Sequence, residues 1–275
     1  MINVDRVVPG AGSGTHGYRD MEILSYVLEG DLADKDSTGT SSTIRPGDVQ
    51  RMSAGSGVQH SEFNGSQQQP ARFLQIWILP NVVGIPAGYE ETRFGEAEQR
   101  GRLCLIASPG GVQGSVHIHQ DAQVYAGLFD GPEQGQLQVA RGRLIWIHVA
   151  CARIVANGEV LEAGDALKLT GEPELRLGSG EAAAVIVFDL PAGADWLLRS
   201  TRVVRTRSRR RRNHHRRTGP CHTVFRSRCR AIRRARRRSR SSASPPWPCR
   251  TCHRAAARPG GRVRSTSKSC RPSCG

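Results

Sequence analysis

The first 192 residues predict an all-β fold of two tandem barrels, and three observations support this prediction. Short runs rich in β-branched and aromatic residues recur, and clusters of Gly, Pro, Asn and Asp separate them. Long amphipathic helical patterns are absent. A similar phrase also occurs twice, first as YVLEGDLADKD followed by STIRPGDVQRMSAG, and later as HVACARIVANGEVLEAGDALKLTG. Two such units in one chain indicate two similar barrels.

Each copy of the repeated phrase predicts a strand, a small turn, a short returning strand and a Gly-Asp turn into another strand. The Gly-Asp pairs are Gly47-Asp48 and Gly164-Asp165. Glycine takes the positive φ that a tight turn requires, and aspartate can bond its own backbone. We therefore expect an N-terminal barrel, a connection, a C-terminal barrel and a tail, at 1–80, 81–101, 102–192 and 193–275.

Charge divides the chain at the end of the second predicted barrel. Residues 1–192 hold 14 Lys+Arg against 23 Asp+Glu, and the tail holds 26 basic residues against Asp195, so the net charge of +16 is −9 plus +25. A strongly basic balance favours a nucleic-acid partner only for the tail. The start of the chain lacks a basic and apolar leader pattern, and no run approaches the roughly 18 apolar residues of a membrane span. We expect a cytoplasmic protein that does not enter a membrane.

Two pairs of polar residues have the spacing of a metal site on strands. His16 and Tyr18 are separated by one residue, as are His60 and Glu62. Side chains at i and i+2 of a strand share a face, so each pair can project two donors into a barrel. Two imidazoles and one carboxylate suit a divalent first-row metal, as in non-haem Fe(II) oxygenases. Exposed polar strand ends are the alternative interpretation of this spacing.

The surroundings of these pairs resemble a known family. GTHGYRDMEILSYVLEG and RPGDVQRMSAGSGVQHSEFN resemble the two motifs of cupins. RDMEI, SYVLEG, KDS, IRPGDVQRMSAG, HSE and FLQIWILP resemble phrases of the pirin family in the expected order, and HQDA, YAGL and FDLP extend the likeness through the second barrel. The resemblance implies two cupin barrels of the double-stranded β-helix, or jelly-roll, type. It also implies one metal, usually iron, in the first barrel.

Carried over to this chain, the family's metal ligands are His16, Tyr18, His60 and Glu62. The implied cofactor is Fe(II) or another divalent first-row metal. The family pattern at the first pair is His-x-His, so Tyr18 stands where the family has histidine. Three interpretations stay open: Tyr18 ligates as a phenolate, the other three residues hold a more open site, or the site has been lost.

The implied function is that of a quercetin 2,3-dioxygenase, because bacterial relatives in the pirin family include such enzymes. The partners would be a flavonol-like small molecule and O2, and Glu62 would be the catalytic residue, acting as a base during ring opening. Replacement of the histidine by Tyr18 would impair this activity. The alternative is a catalytically inactive pirin-like regulator that binds a protein partner through its barrel surface.

Several further residues have candidate roles. Glu22 stands where the general cupin motif has a ligand, but the pirin pattern takes its carboxylate from the second motif, so we expect a structural role and keep a substitute donor as the alternative. His117 and His119 share one strand face, and His148 lies on a later strand. We expect satisfied polar strand residues there rather than a second metal site. Cys104 and Cys151 lie in apolar strand contexts, so we expect core positions.

The two ends of the chain carry their own expectations. The tail has no hydrophobic period, which predicts disorder. A genuine Arg-rich tail would bind nucleic-acid phosphates. The chain has 37 Arg and only 3 Lys, however, and this ratio favours an out-of-frame reading of GC-rich DNA as the origin of the tail. Cys249 and His253 hint at zinc without a suitable second pair. Family chains usually carry further strands before the one that INVDRV resembles, so we expect a truncated N-terminal barrel.

Overall fold

The computed structural model describes residues 1–37, Gly39, 41–193 and the backbone of 205–208. The predictions for the rest of the basic tail, including its cysteines, lie outside the described residues. Apart from the short helix α1 (Glu96–Gln99) and a 3₁₀ turn at Val112–Gly114, the regular structure is strand, as predicted. In the described part of the chain, no helix has the length and apolar character needed to span a membrane.

The N-terminal barrel consists of two antiparallel sheets. The strands of the first sheet are β1 (Ile2–Val7), β3 (Glu22–Glu29), β6 (Asp48–Ser53), β8 (Ala71–Ile78) and β9 (Gly88–Arg93). Those of the second are β2 (His16–Tyr18), β4 (Leu32–Asp36), β5 (Ser41–Ile44) and β7 (Val58–Asn64). The strand orders are β1-β8-β3-β6-β9 and β2-β7-β4-β5. Since β9 pairs with β6, the first barrel includes a strand from the segment 81–101.

Alternation along the strands separates the two faces of the first sheet. One face contributes two apolar clusters, one containing Ile23 and one containing Val27. Ser25, between these two positions on β3, pairs in register with Gln50 of β6 and Gln75 of β8. Residues that are in register across neighbouring strands point to the same face, so these three side chains form a polar layer between two apolar ones.

The C-terminal barrel is a nine-stranded sheet. Its strands are β10 (Cys104–Pro109), β11 (Val116–Ile118), β12 (Gln123–Gly131), β13 (Gly135–Gln138), β14 (Arg143–Ala156), β15 (Glu159–Glu162), β16 (Ala166–Thr170), β17 (Glu174–Pro191) and β18 (Arg205–Ser208). The order is β11-β10-β12-β17-β14-β16-β18, with β13 on β17 and β15 on β14. The register between the long strands β14 and β17 shifts three times, and such bulges bend strands around a core.

The two predicted Gly-Asp turns have the expected chemistry. Gly47 has a φ of 93° and Gly164 a φ of 87°. The Asp48 side chain accepts a hydrogen bond from the backbone N–H of Arg45 at 2.8 Å, and the Asp165 side chain accepts one from Glu162 at 3.1 Å. The repeated phrase therefore marks equivalent turns in the two barrels.

The barrels share one apolar core. Leu24, Leu74 and Ile76 from the first barrel are buried in the same cluster as Trp146 and Ile186 from the second. A separate cluster of 14 buried residues fills the second barrel itself. The outer face of the first sheet thus contributes apolar residues to this core, and they are buried because the second barrel covers them.

Candidate metal centre

Two imidazoles meet across strands β2 and β7. The pairing of these strands places His16 directly opposite His60. Their Nε2 atoms are 3.1 Å apart and their ring centroids 4.5 Å apart. His60 is 2% exposed and His16 is partly exposed, so the contact is partly buried. The structure therefore brings together the two histidines that the sequence predicted as ligands.

The outer nitrogen of each ring faces an acceptor. His16 Nδ1 lies 2.9 Å from the carbonyl oxygen of Gly14, and His60 Nδ1 lies 3.3 Å from Asp34 Oδ1. A carbonyl and a carboxylate only accept, so a neutral ring that keeps its proton on Nδ1 presents its Nε2 lone pair inward, where the other ring can donate to it from its own Nε2. Two lone pairs 3.1 Å apart repel each other unless a proton or a metal ion lies between them.

The charge around His60 favours a proton in this gap when no metal is bound. Burial lowers the pKa of His60, but contact with Asp34 and the negative charges of Glu62, Asp34 and Asp36 together outweigh it and raise the pKa. The same negative charge attracts any cation that replaces the proton.

Glu62 is the carboxylate of the site. It is 9% exposed and lies two residues after His60 on β7, with its side chain on the same face. Its Oε2 accepts a hydrogen bond from Gln75 Nε2 at 2.7 Å, and Trp77 Nε1 donates to Gln75 Oε1 at 3.0 Å. Burial raises the pKa of Glu62, and the neighbouring His60 charge opposes this rise. Glu62 is thus better suited to accept a proton near neutral pH than an exposed glutamate is.

Tyr18 lies beside the imidazole pair. Its ring makes edge contacts with His16, His60 and Trp77, at centroid distances of 5.1, 5.4 and 5.0 Å. Burial raises the pKa of the Tyr18 phenol, and the charges of Glu62 and Asp5 raise it further. In this environment without a metal, Tyr18 is a neutral phenol.

The donor chemistry fits a divalent first-row metal, although the side chains are not assembled around one. Two imidazole nitrogens face each other, each outer nitrogen lies within 3.3 Å of a carbonyl or carboxylate oxygen, and a buried carboxylate lies next to them, a donor set that suits such a metal. In the described residues, no group of three or more His, Cys, Asp or Glu side chains is arranged to hold a metal ion. The imidazole pair is therefore the preformed part of the site.

Glu22 has a structural position. It is fully buried, and its carboxylate accepts hydrogen bonds from Ser53 Oγ at 2.7 Å and from the backbone N–H of His119 at 2.7 Å. The His119 ring also lies 2.8 Å from it through Nδ1. The carboxylate thus ties the first barrel to β11 of the second, which agrees with the structural role expected for Glu22.

The other predicted residues divide between agreement and correction. The rings of His117 and His119 lie 4.3 Å apart, and His119 is satisfied by Glu22. His148 differs from the expectation, because neither of its ring nitrogens has a hydrogen-bond partner in the described structure. Burial lowers the pKa of His148 to about 4, so it is neutral. Cys104 and Cys151 are only partly buried, at the margin of the shared core, and not fully inside it as expected.

The sequence interpretation missed the side chains that hold the site in place. Asp34, Gln50, Gln75 and Trp77 come from three strands far apart in the chain. Alternation places Asp34 on the same face of β4 as the buried Leu32. Polar residues that share a strand face with apolar ones were the available signal.

The fold and the paired imidazoles together define a two-domain cupin, with the site in the first barrel. The Pirin profile matches residues 2–78, and that of the quercetinase C-terminal cupin domain matches residues 105–190. The chain belongs to the pirin family, which confirms the resemblance seen in the sequence.

Relatives of known name and structure agree with this assignment. A quercetin 2,3-dioxygenase from Escherichia coli is 37% identical over 191 residues, which cover 70% of this chain and 81% of that protein. The crystal structure of YhhW from Escherichia coli is 37% identical, with a TM-score of 0.65 over 70% of this chain and 80% of that one. A structure of the bacterial pirin YhhW in complex with nickel(II) has a TM-score of 0.64 at 37% identity, over 70% of this chain and 81% of that one.

Proposed function

We propose that this protein is a metal-dependent dioxygenase of the quercetinase type, which opens the ring of a flavonol with O2. The observation that carries the proposal is the partly buried contact between His16 Nε2 and the buried His60 Nε2, beside the carboxylate of Glu62. The names of the relatives supply the reaction class, and the nickel complex of YhhW supports a divalent metal. We place the reaction in the cytoplasm.

In this proposal His16, His60 and Glu62 hold the metal, and Tyr18 occupies the fourth ligand position of the family as a neutral phenol. Burial and the charge of Glu62 raise the pKa of the Tyr18 phenol, so a phenolate ligand would form only if the bound metal lowered that pKa. Three protein ligands leave more positions for substrate oxygens. We expect Fe(II) or another divalent first-row metal, bound more weakly than four ligands would bind it.

The chain's own residues bind the substrate and move its proton. A divalent metal at this position would act as a Lewis acid that lowers the pKa of a flavonol hydroxyl. Burial raises the pKa of Glu62, so this carboxylate accepts the hydroxyl proton once it shifts away from the metal on substrate binding, while the Gln75 amide holds one of its oxygens. The ring of Trp77, in contact with Tyr18, gives the site an aromatic wall.

A second function has one specific observation in its favour. Tyr18 replaces a family ligand, and its phenol is neutral beside the imidazole pair. If this substitution abolishes metal binding, the protein is a catalytically silent, pirin-like regulator that acts through a protein partner. Metal content separates this alternative from the enzyme.

The test is anaerobic loading of the full chain with Fe(II), followed by metal analysis and by dioxygen uptake with quercetin. The parent protein is compared with Tyr18→His and with His60→Ala, which removes one of the paired imidazoles. We expect the parent to bind iron and consume dioxygen with quercetin, Tyr18→His to bind iron more tightly, and His60→Ala to lose both properties. If only Tyr18→His binds iron, the silent regulator is correct. If His60→Ala matches the parent in both assays, the site lies elsewhere and the proposal fails.

A further inference from the structure

Asp34 is a buried carboxylate to which neither the sequence interpretation nor the proposed function gives a task. It lies on β4, directly opposite Glu62 of β7 in register, and is 3% exposed. A buried carboxylate is costly unless neighbouring donors stabilise its charge. The position of Asp34 therefore needs an explanation in its contacts.

Two contacts define the environment of Asp34. Gln50 Nε2, from the opposite sheet, donates to Asp34 Oδ2 at 2.7 Å. Asp34 Oδ1 lies 3.3 Å from His60 Nδ1, within ion-pair distance, and neither of these two buried atoms forms a hydrogen bond in the described structure. The carboxylate is thus fixed on one side by an amide and faces an imidazole on the other.

The same arrangement is repeated one strand away. Gln75 donates to Glu62 just as Gln50 donates to Asp34, and the two glutamines flank Ser25 in register on the first sheet. Two amides of one sheet therefore hold two adjacent carboxylates of the other. One carboxylate is the proposed ligand, and the other lies behind the ligand His60.

We propose that Asp34 is the positioning residue for His60, holding its Nδ1–H so that Nε2 points at His16. This inference rests on the proposed function for its consequence, which is metal affinity. A carboxylate behind a ligating imidazole fixes the ring orientation and tautomer and makes the inward nitrogen more basic. Gln50 in turn keeps Asp34 in place.

The experiment uses two substitutions of Asp34 in the full chain. Asp34→Ala removes the acceptor. Asp34→Asn can keep an acceptor oxygen toward His60, because the Gln50 amide can turn its unpartnered Oε1 to accept from the new amide. The matched control is Asp189→Ala, which removes an 8% exposed carboxylate, the partner of Arg143, from the second barrel.

Two readouts are measured on each protein. The ring-nitrogen chemical shifts of the metal-free protein, at a pH where its imidazoles are neutral, report the tautomer of His60. Titration with Ni(II) gives the Kd. We expect Asp34→Ala to lose the Nδ1–H tautomer of His60 and to bind Ni(II) about 10- to 100-fold more weakly. Asp34→Asn should retain more of the Nδ1–H tautomer and of the Ni(II) affinity than Asp34→Ala does. The Kd of Asp189→Ala for Ni(II) should stay within about twofold of the parent value.

The two readouts separate this inference from the proposed function. An unchanged His60 tautomer in Asp34→Ala overturns the positioning role, whatever the metal affinity. If the His60 tautomer changes in Asp34→Ala and the parent protein binds no Ni(II), the positioning role is supported and the metal-dependent enzyme is refuted. Circular dichroism shows whether each variant is folded. If Asp34→Ala is unfolded, the tautomer of His60 is measured in Asp34→Asn instead.

Discussion

Acid should destabilise the protein through His148, and replacing this residue with leucine should remove that effect. His148 is buried in β14, close to Trp146, and neither ring nitrogen has a partner in the described structure. Burial lowers its pKa from 6.5 to about 4, and the charge of Asp165 offsets this only in part. The imidazole must therefore stay neutral in the folded protein, although it binds a proton readily once the chain unfolds.

The sign and size of the effect follow from this difference. Between pH 6.5 and about 4 the unfolded chain binds more protons than the folded one, so stability falls as the pH falls through this range and the effect is complete below pH 4. The two pKa values correspond to about 3 kcal/mol. In His148→Leu, the loss of unfolding free energy on acidification should be smaller than in the parent by this amount.

Urea unfolding followed by tryptophan fluorescence at a series of pH values measures the effect. His117→Gln is the control, since it replaces a partly exposed histidine of the same barrel. Its stability curve should run parallel to that of the parent. The reasoning is refuted if the curves of the parent and His148→Leu also run parallel between pH 6.5 and 4.

Three further predictions concern other parts of the fold. Glu22→Gln should lower the unfolding free energy, measured by urea denaturation, by about 2 kcal/mol. The reason is that a neutral amide replaces a buried carboxylate that accepts hydrogen bonds from His119 of the second barrel. Gln75→Leu removes a hydrogen bond that lowers the pKa of Glu62, so the acid limb of the dioxygen-uptake profile with quercetin should move to higher pH. Gly47→Ala should cost more than about 1 kcal/mol in urea denaturation, because φ is positive and the added Cβ would lie 2.7 Å from a carbonyl oxygen.

Each of these predictions has its own control. Glu29→Gln alters a half-exposed carboxylate and should leave the urea midpoint almost unchanged. An acid limb that stays in place in Gln75→Leu would show that Glu62 is not the base. Gly14→Ala places a Cβ in open space and should change stability by less than about 0.5 kcal/mol. A similar loss in both glycine variants would contradict the steric argument.

Local patterns along the chain were sufficient to predict the strands and their turns. Runs of β-branched and aromatic residues predicted β3 and β8, and the Gly-Asp pairs predicted the turn geometry that Asp48 and Asp165 adopt. The i and i+2 spacing on β2 and β7 placed two donors on each strand, and the family likeness indicated that the two pairs meet. The contact between His16 and His60 agrees with this prediction.

The side chains that support the site could not be predicted in the same way. Gln50 meets Asp34 across the barrel, and that contact depends on the distance and register between two sheets. No periodicity along a single strand contains this information. His148 was misinterpreted for a related reason, since its partners in register, Ala166 and Ile186, belong to the apolar core that the barrels share.

Because the barrels share one apolar cluster, cutting the chain at the sequence boundary between them does not give two independently stable domains. A fragment that ends after Arg93 would expose Leu24, Leu74 and Ile76 to water, and the complementary fragment would expose Trp146. Exposed apolar surface of this extent promotes association. The two halves should therefore recover their structure only when they are produced together, and engineering that exchanges one barrel must preserve the contact face of the other.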